Sequence, residues 1–123
     1  MPFEVVQSVP LLRIFDVAKA KEFYLGFLGF AVDWEHRFED VAPVYMQVSR
    51  GGLVLHLTEH YGDCCPGSTV FVRVRGLEEL HRELAAKLYG YLRPGIERSP
   101  ESLCMEVIDP FGNRLRFDER LGA

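Results

Sequence analysis

The alternation of apolar and polar residues divides the first part of the chain into a strand and a helix. The segment 5–15, VVQSVPLLRIF, is rich in β-forming residues and predicts the first strand. Pro10 lies within it and indicates an edge position or a bulge, because proline cannot donate a hydrogen bond to a sheet. The segment DVAKAKEFYLGFLG follows, with apolar residues at helical spacing. Asp16 is a favourable N-cap and Gly29 is typical of a helix end, so this segment predicts a helix.

The segment 30–38, FAVDWEHRF, predicts a second strand. Successive side chains of a strand point to opposite faces. Trp34, His36 and Phe38 are therefore expected on one face. That face would present two large aromatic side chains with a histidine between them.

The segment 44–59, VYMQVSRGGLVLHLTE, predicts a β-hairpin whose two-residue turn is Arg50 and Gly51. In that register Tyr45 lies opposite His56. Along the second strand of the hairpin, leucines alternate with more polar residues. The leucines are therefore expected to face the core, and His56 to point to the opposite side.

The second half of the chain repeats this order of elements. STVFVRVR (68–75) predicts a strand, GLEELHRELAAKLYG (76–90) a helix, and YLRPGI (91–96) a short strand or turn. SLCMEVIDPFGNRLRFDE (102–119) predicts a second hairpin that turns at DPFGN. The predicted apolar stripe of the helix consists of four leucines: Leu77, Leu80, Leu84 and Leu88.

An internal repeat explains this order, because residues 60 positions apart match in type, as Gly52 and Gly112 do. Each half has the order β-α-β-β-β. The sequence therefore predicts an α+β fold in which a single domain, 1–123, consists of two βαβββ modules at about 1–62 and 68–123. Two such modules are expected to enclose a cleft between curved sheets.

Composition and charge narrow the class of protein. The chain has 123 residues, of which 48% are hydrophobic, enough to bury a core in one domain. Its net charge of −4 argues against nucleic acid as the main partner, since phosphate binding needs a basic face. No apolar run approaches the ~20 residues of a membrane span, and no signal peptide is expected. Three cysteines, two of them adjacent, make a poor disulfide framework and favour a reducing cytoplasm.

The stretch 51–67, GGLVLHLTEHYGDCCPG, contains several residue types that bind metals. His56 and His60 are four residues apart, which corresponds to about 13 Å along a strand, so they cannot share one ion there. A loop site that uses His60 with Cys64 or Cys65 is the alternative. The composition of the loop favours a solvated connector between the two modules.

The predicted cleft has a few polar side chains among apolar ones. The offset of 60 pairs His56 with Arg116, and the hairpin adds Tyr45 and Gln47 to the same wall. Small-molecule sites are commonly built from such groups. Two alternatives stay open: His56 as a hydrogen-bonded structural histidine, and Arg116 as the partner of a carboxylate at the rim.

Three segments carry a resemblance to a known family: VPLLRIFDVAKAKEFYLGFLGF, VRVRGLEELHREL and IDPFGNRLRF. With the repeat, they make the chain similar to the vicinal-oxygen-chelate superfamily, which includes glyoxalase I, extradiol dioxygenases and bleomycin-resistance proteins. It resembles the bleomycin-resistance branch most. The resemblance implies a homodimer with exchanged N-terminal strands and a small-molecule cleft at the subunit interface.

The resemblance also bears on metal binding. Metal-dependent members of the superfamily take ligands from up to four strand positions, which map onto Val9, His56, Thr69 and Arg116. Only His56 is a usual metal ligand, and the guanidinium of Arg116 would repel a cation. The resemblance therefore implies a protein without a metal or another cofactor.

The leading interpretation is a metal-free protein of the bleomycin-resistance type that sequesters a small, partly aromatic molecule, with antibiotic resistance as a consequence. Trp34 and Phe38 match, in type and place, the aromatic residues that stack on the drug in relatives; core or dimer packing is the alternative. The P-W-G run of those relatives is replaced by SPES (99–102), which indicates a different ligand. The other hypotheses are a lyase, isomerase or dioxygenase that uses His56 as a base or in a partial metal site, and a domain that acts through a protein partner.

Overall fold

The computed structural model describes residues 2–37 and 43–122. The elements of the first module are β1 (Leu11–Arg13), α1 (Val17–Lys21) with a π-helix (Glu22–Phe27), β2 (Ala31–Arg37), β3 (Val44–Arg50) and β4 (Leu53–Thr58). Those of the second are β5 (Thr69–Arg73), α2 (Leu77–Ala86), β6 (Glu97–Arg98), β7 (Ser102–Ile108) and β8 (Arg114–Arg120). They form two four-stranded sheets with the orders β1-β4-β3-β2 and β5-β8-β7-β6. The predicted α+β fold of two βαβββ modules is confirmed.

The register of the sheets reproduces the internal repeat. In the first sheet β1 runs parallel to β4, with Leu11 beside His56. In the second sheet β5 runs parallel to β8, with Phe71 beside Arg116. Both members of the second pair lie 60 residues after those of the first. The predicted offset therefore holds for the parallel strand pair of each module.

A buried polar network joins the two modules. The Tyr24 hydroxyl, in the π-helix of the first module, donates to Asp109 Oδ2 at 2.7 Å. Asn113 Nδ2 donates both to the same oxygen, at 2.9 Å, and to the carbonyl oxygen of Arg13 in β1, at 2.8 Å. Asp109 and Asn113 are the first and last residues of the DPFGN turn. This turn therefore has a structural role, because it connects β8 to the helix and first strand of the other module.

The predicted register of the first hairpin is wrong by two residues. The turn consists of Gly51 and Gly52, with φ of 55° and 91°. A two-residue hairpin turn of this kind needs positive φ at both central positions, which glycine adopts without strain and arginine does not. Gln47, rather than Tyr45, therefore lies opposite His56.

Three further element predictions need correction. The first strand covers only Leu11–Arg13, and residues 4–10 form no strand within this chain. The last leucine of the predicted stripe, Leu88, lies beyond the end of α2 and is 74% exposed. The short strand of the second module is Glu97–Arg98 rather than part of 91–96. Within residues 2–37 and 43–122, no helix has the length and apolar character needed to cross a bilayer.

Candidate functional site

A β-bulge in β2 determines which side chains meet on the outer face of the first sheet. Val32 lies opposite Val48, but Trp34 lies opposite Gln47, so Asp33 is an extra residue in the ladder. The bulge reverses the predicted alternation. Val32 packs against the core, whereas Trp34 lies on the same face as Gln47. Unbroken alternation from Val32 to Trp34 is therefore wrong, but Trp34 and His36, opposite Gln47 and Tyr45, share one face as predicted.

Three aromatic rings come together on this outer face. The rings of Trp34 and Tyr45 are almost parallel, with centroids 5.8 Å apart and an interplanar angle of 6°. The imidazole of His56 meets the indole edge-on, at 5.3 Å. Trp34 is still 42% exposed, so part of its ring remains open to a ligand. Planar molecules stack favourably on such surfaces.

Polar groups of the same face form a continuous chain of hydrogen bonds. The Tyr45 hydroxyl lies 2.6 Å from His56 Nδ1, and His56 Nε2 lies 3.0 Å from Gln47 Oε1. Gln47 Nε2 donates to Asp33 Oδ2 at 3.0 Å. The Ser49 hydroxyl donates to the other oxygen of Asp33, also at 3.0 Å. Five strand residues therefore hold one another at fixed distances beside the exposed indole.

The surroundings shift the pKa of three groups in this hydrogen-bonded chain of side chains. Burial lowers the pKa of His56. Burial also raises the pKa of the Tyr45 hydroxyl, and the carboxylate of Asp63 raises it further. The hydrogen bonds from Gln47 and Ser49 lower the pKa of Asp33. At neutral pH the site therefore contains a neutral imidazole, a neutral phenol and an ionised carboxylate.

We expect His56 to titrate below the ordinary histidine pKa of about 6.5, because burial penalises its charged form. A histidine of this kind stabilises the folded state above its unfolded-state pKa, and that contribution is lost as the pH falls toward the lower folded-state value. A two-dimensional NMR titration of the ring protons measures this pKa, with the urea-unfolded protein as the reference. A folded-state value at or above the unfolded one would contradict this description of the site.

The residues at the four superfamily ligand positions do not fit a metal centre. Both ring nitrogens of His56 already have hydrogen-bond partners. Arg116 is a fixed cation that lies 3.5 Å from a Glu106 oxygen, and Val9 and Thr69 offer no anionic donor. The part of the chain that the structure describes also contains no group of three or more histidine, cysteine or acidic residues arranged to hold an ion.

Four of the six predicted site residues, Trp34, Tyr45, Gln47 and His56, lie together on the first sheet. Arg116 lies on the second sheet, and Phe38 lies outside the described residues.

Asp33 and Ser49 belong to the hydrogen-bonded chain and were not predicted. Simple alternation places Asp33 on the opposite face, and no residue in the segment signals the bulge that moves it.

The outer face of the second sheet has a different chemistry. Arg114 and Arg116 flank Glu106, at 2.7 and 3.5 Å, and mainly the hydrogen bond from Arg114 lowers the pKa of that carboxyl. Phe71, beside Arg116, is 55% exposed. The pairing of Arg116 with a carboxylate is one of the two alternatives that the sequence left open. An aromatic residue and a cation are therefore available on this face as well.

A large groove lies elsewhere in the described part of the chain. This groove of about 960 Å³ runs between the hairpin end of the first module and β5, α2 and β8 of the second. None of Trp34, Tyr45, Gln47 and His56 lines it. Among the described residues, this groove and the aromatic face are therefore separate surfaces.

Comparison with protein families gives one match, to the model described as glyoxalase superfamily protein, over residues 2–123. The chain belongs to the glyoxalase superfamily. A comparison with curated proteins gives no match.

Among solved structures, similar chains include the bleomycin-binding protein of bleomycin-producing Streptomyces verticillus in complex with copper(II)-bleomycin. It is 26% identical, with a TM-score of 0.70 over 94% of this chain and 97% of that one. A bleomycin resistance determinant encoded on the transposon Tn5 is 23% identical, with a TM-score of 0.69 over 95% and 99%. A glyoxalase-related enzyme from Clostridium phytofermentans is 18% identical, with a TM-score of 0.72 over 97% and 98%. The last two likenesses establish the fold alone.

Proposed function

We propose that this member of the glyoxalase superfamily is a metal-free protein that binds and sequesters a small, partly aromatic molecule on the outer face of its first sheet. The observation that carries the proposal is the exposed Trp34 indole, packed against Tyr45 and His56 beside a fixed chain of polar groups. The indole would stack on the planar part of the ligand. Tyr45 would offer a hydrogen-bonding group at its edge.

One comparison supports binding rather than another role. A 26% identical protein of the same fold is a bleomycin-binding protein in complex with copper(II)-bleomycin, and we propose sequestration of a toxic compound as the role of this chain. The enzymatic alternative would use His56 as a base, but its ring nitrogens are both engaged within the protein. We also propose a cytoplasmic location, since three free cysteines suit a reducing compartment.

Calorimetric titration of the full chain with bleomycin and with indole tests the proposal. We expect saturable binding of at least one of them, with one molecule per chain. Addition of a chelator should leave the affinity unchanged, because the described donors do not form a metal site. Absence of binding for both compounds, or loss of binding with the chelator, would refute the metal-free binding function.

We also propose a homodimer in which the second sheet of the partner closes the aromatic face and brings Arg116 of that subunit toward the ligand. Residues 2–10, called the arm below, belong to no helix or strand, and their apolar side chains Phe3, Val5 and Val6 are 90, 62 and 92% exposed. Exposed apolar residues grouped in this way mark protein–protein contacts. The edge strands β1 and β5 are available for pairing with another chain. Exchange of the N-terminal arms between subunits would cover both features.

Deletion of residues 2–8 is expected to convert the dimer into a monomer, because it removes the exposed apolar side chains that the partner would cover. Light scattering coupled to size-exclusion chromatography measures the mass directly. Tyr61→Ser is the matched control, since Tyr61 is 95% exposed but lies outside the arm, and this variant should stay dimeric. A monomeric full-length chain would refute the shared cleft.

A further inference from the structure

We infer that Asp33 sets the donor and acceptor of each hydrogen bond in the series that runs from Asp33 through Gln47 and His56 to Tyr45. The site thereby selects ligands that offer a hydrogen-bond donor. An ionised carboxylate can only accept hydrogen bonds. Both oxygens of Asp33 are in use, one with Gln47 Nε2 and one with the Ser49 hydroxyl, each at 3.0 Å. The amide of Gln47 must therefore direct its NH₂ group toward Asp33.

The remaining directions follow from this one. With its NH₂ group toward Asp33, Gln47 presents Oε1 to His56 Nε2, 3.0 Å away. An oxygen acceptor requires that Nε2 carries the hydrogen, so in the neutral imidazole Nδ1 is the acceptor. The Tyr45 hydroxyl, 2.6 Å from Nδ1, must then donate to it. The single hydroxyl hydrogen of Tyr45 is therefore used in the bond to His56. The hydroxyl oxygen can then only accept a hydrogen bond from a ligand.

This arrangement has a consequence for the ligand that rests on the proposed function. A molecule stacked on Trp34 and bonded to Tyr45 should offer an N–H or O–H group rather than a carbonyl or ring nitrogen. Without Asp33 the amide of Gln47 could take either orientation, and the phenol could turn outward. Asp33 is therefore a positioning residue that acts through Gln47 and His56 without touching the ligand.

The tautomer of His56 tests the inference in the free protein. Nitrogen-15 NMR of the imidazole distinguishes the Nε2–H form from the Nδ1–H form, and the wild type should be in the Nε2–H form. Asp33→Lys replaces an acceptor by a donor and should give mainly Nδ1–H, with Asp33→Asn between the two. Ser49→Ala keeps the carboxylate and should retain the wild-type tautomer. An Nδ1–H wild type, or an unchanged tautomer in Asp33→Lys, would overturn the inference.

Ligand preference provides the second measurement. Indole and benzofuran are nearly equal in shape, but only indole has an N–H donor. The wild type should bind indole about threefold to tenfold more tightly, the effect of one hydrogen bond, and Asp33→Lys should lose this preference. Equal affinities in the wild type would overturn the selection of donors. If the tautomers change as expected but neither compound binds, the hydrogen-bond direction is supported, whereas donor selection and the proposed binding function both fail.

Discussion

Asp109→Ala is expected to destabilise the protein by roughly 3–5 kcal/mol, because it leaves several donors in the interior without an acceptor. Asp109 is only 5% exposed. Its oxygens accept hydrogen bonds from the Tyr24 hydroxyl, from the side chain and backbone of Asn113, and from the backbone N–H of Phe111. Urea unfolding followed by circular dichroism measures the loss. Total stabilities of domains are about 5–15 kcal/mol, so this variant should lose a large part of its stability.

The control for this prediction is Tyr24→Phe, which removes a single donor and leaves the carboxylate with its other partners. Its cost should be smaller, about 0.5–1.5 kcal/mol for one hydrogen bond. Burial and the nearby Asp109 raise the pKa of the Tyr24 hydroxyl, so the group stays a neutral donor at neutral pH. A loss below about 1 kcal/mol for Asp109→Ala would show that this network does not hold the two modules together.

Trp34→Ala is expected to weaken binding of a planar ligand by about tenfold to a hundredfold, because it removes the stacking surface and its apolar contact. The unfolding free energy should change by less than about 1 kcal/mol, since the side chain is 42% exposed and lies outside the core. Calorimetry with the ligand that the wild type binds measures the affinity.

Two controls make the Trp34 result specific. Tyr61→Ala removes another aromatic side chain, 95% exposed and outside the cluster, and should bind as the wild type does. Tyr45→Phe keeps the ring that faces Trp34 but loses the hydroxyl, and should weaken binding by only the threefold to tenfold of a single hydrogen bond. If Trp34→Ala binds its ligand as tightly as the wild type, the aromatic face is not the binding site.

The fold could be predicted from the sequence because both modules meet the same structural requirement, and the residues that meet it recur along the chain. Each module needs a parallel pair of strands beside a helix, and the pairs Leu11–His56 and Phe71–Arg116 satisfy that requirement 60 residues apart. The alternation of leucines in β4 likewise predicted the side on which His56 lies. The alternation within a strand and the 60-residue repeat both extend over many residues, so one local irregularity does not hide them.

Which side chains meet in the site depends on a bulge and a turn, two local features that sequence periodicity does not reveal. The extra residue at Asp33 moved Trp34 to the outer face and added a carboxylate to the site. The turn at Gly51 and Gly52 shifted β3 by two residues against β4 and brought Gln47 to His56. The turn could have been predicted, since two adjacent glycines fit its backbone better than arginine and glycine. The bulge could not, because no glycine marks it.

Arg116 and the aromatic face lie on different sheets of the chain. The offset of 60 identifies it as the counterpart of His56, and within the chain it pairs with Glu106 on the second sheet. A shared cleft with His56 requires a second copy of the chain, and it stays a prediction that the arm deletion tests.

The fluorescence of Trp34 tests the central proposal most directly, because it is the only tryptophan in the chain. Its emission reports on the proposed site and on no other part of the protein. We predict that titration with compounds that contain a planar aromatic part but no indole, namely bleomycin and benzofuran, changes this emission saturably with one molecule per chain for at least one of them. Emission that stays constant up to millimolar concentrations of both, in protein shown to be folded, would contradict the proposal that this face binds small aromatic molecules.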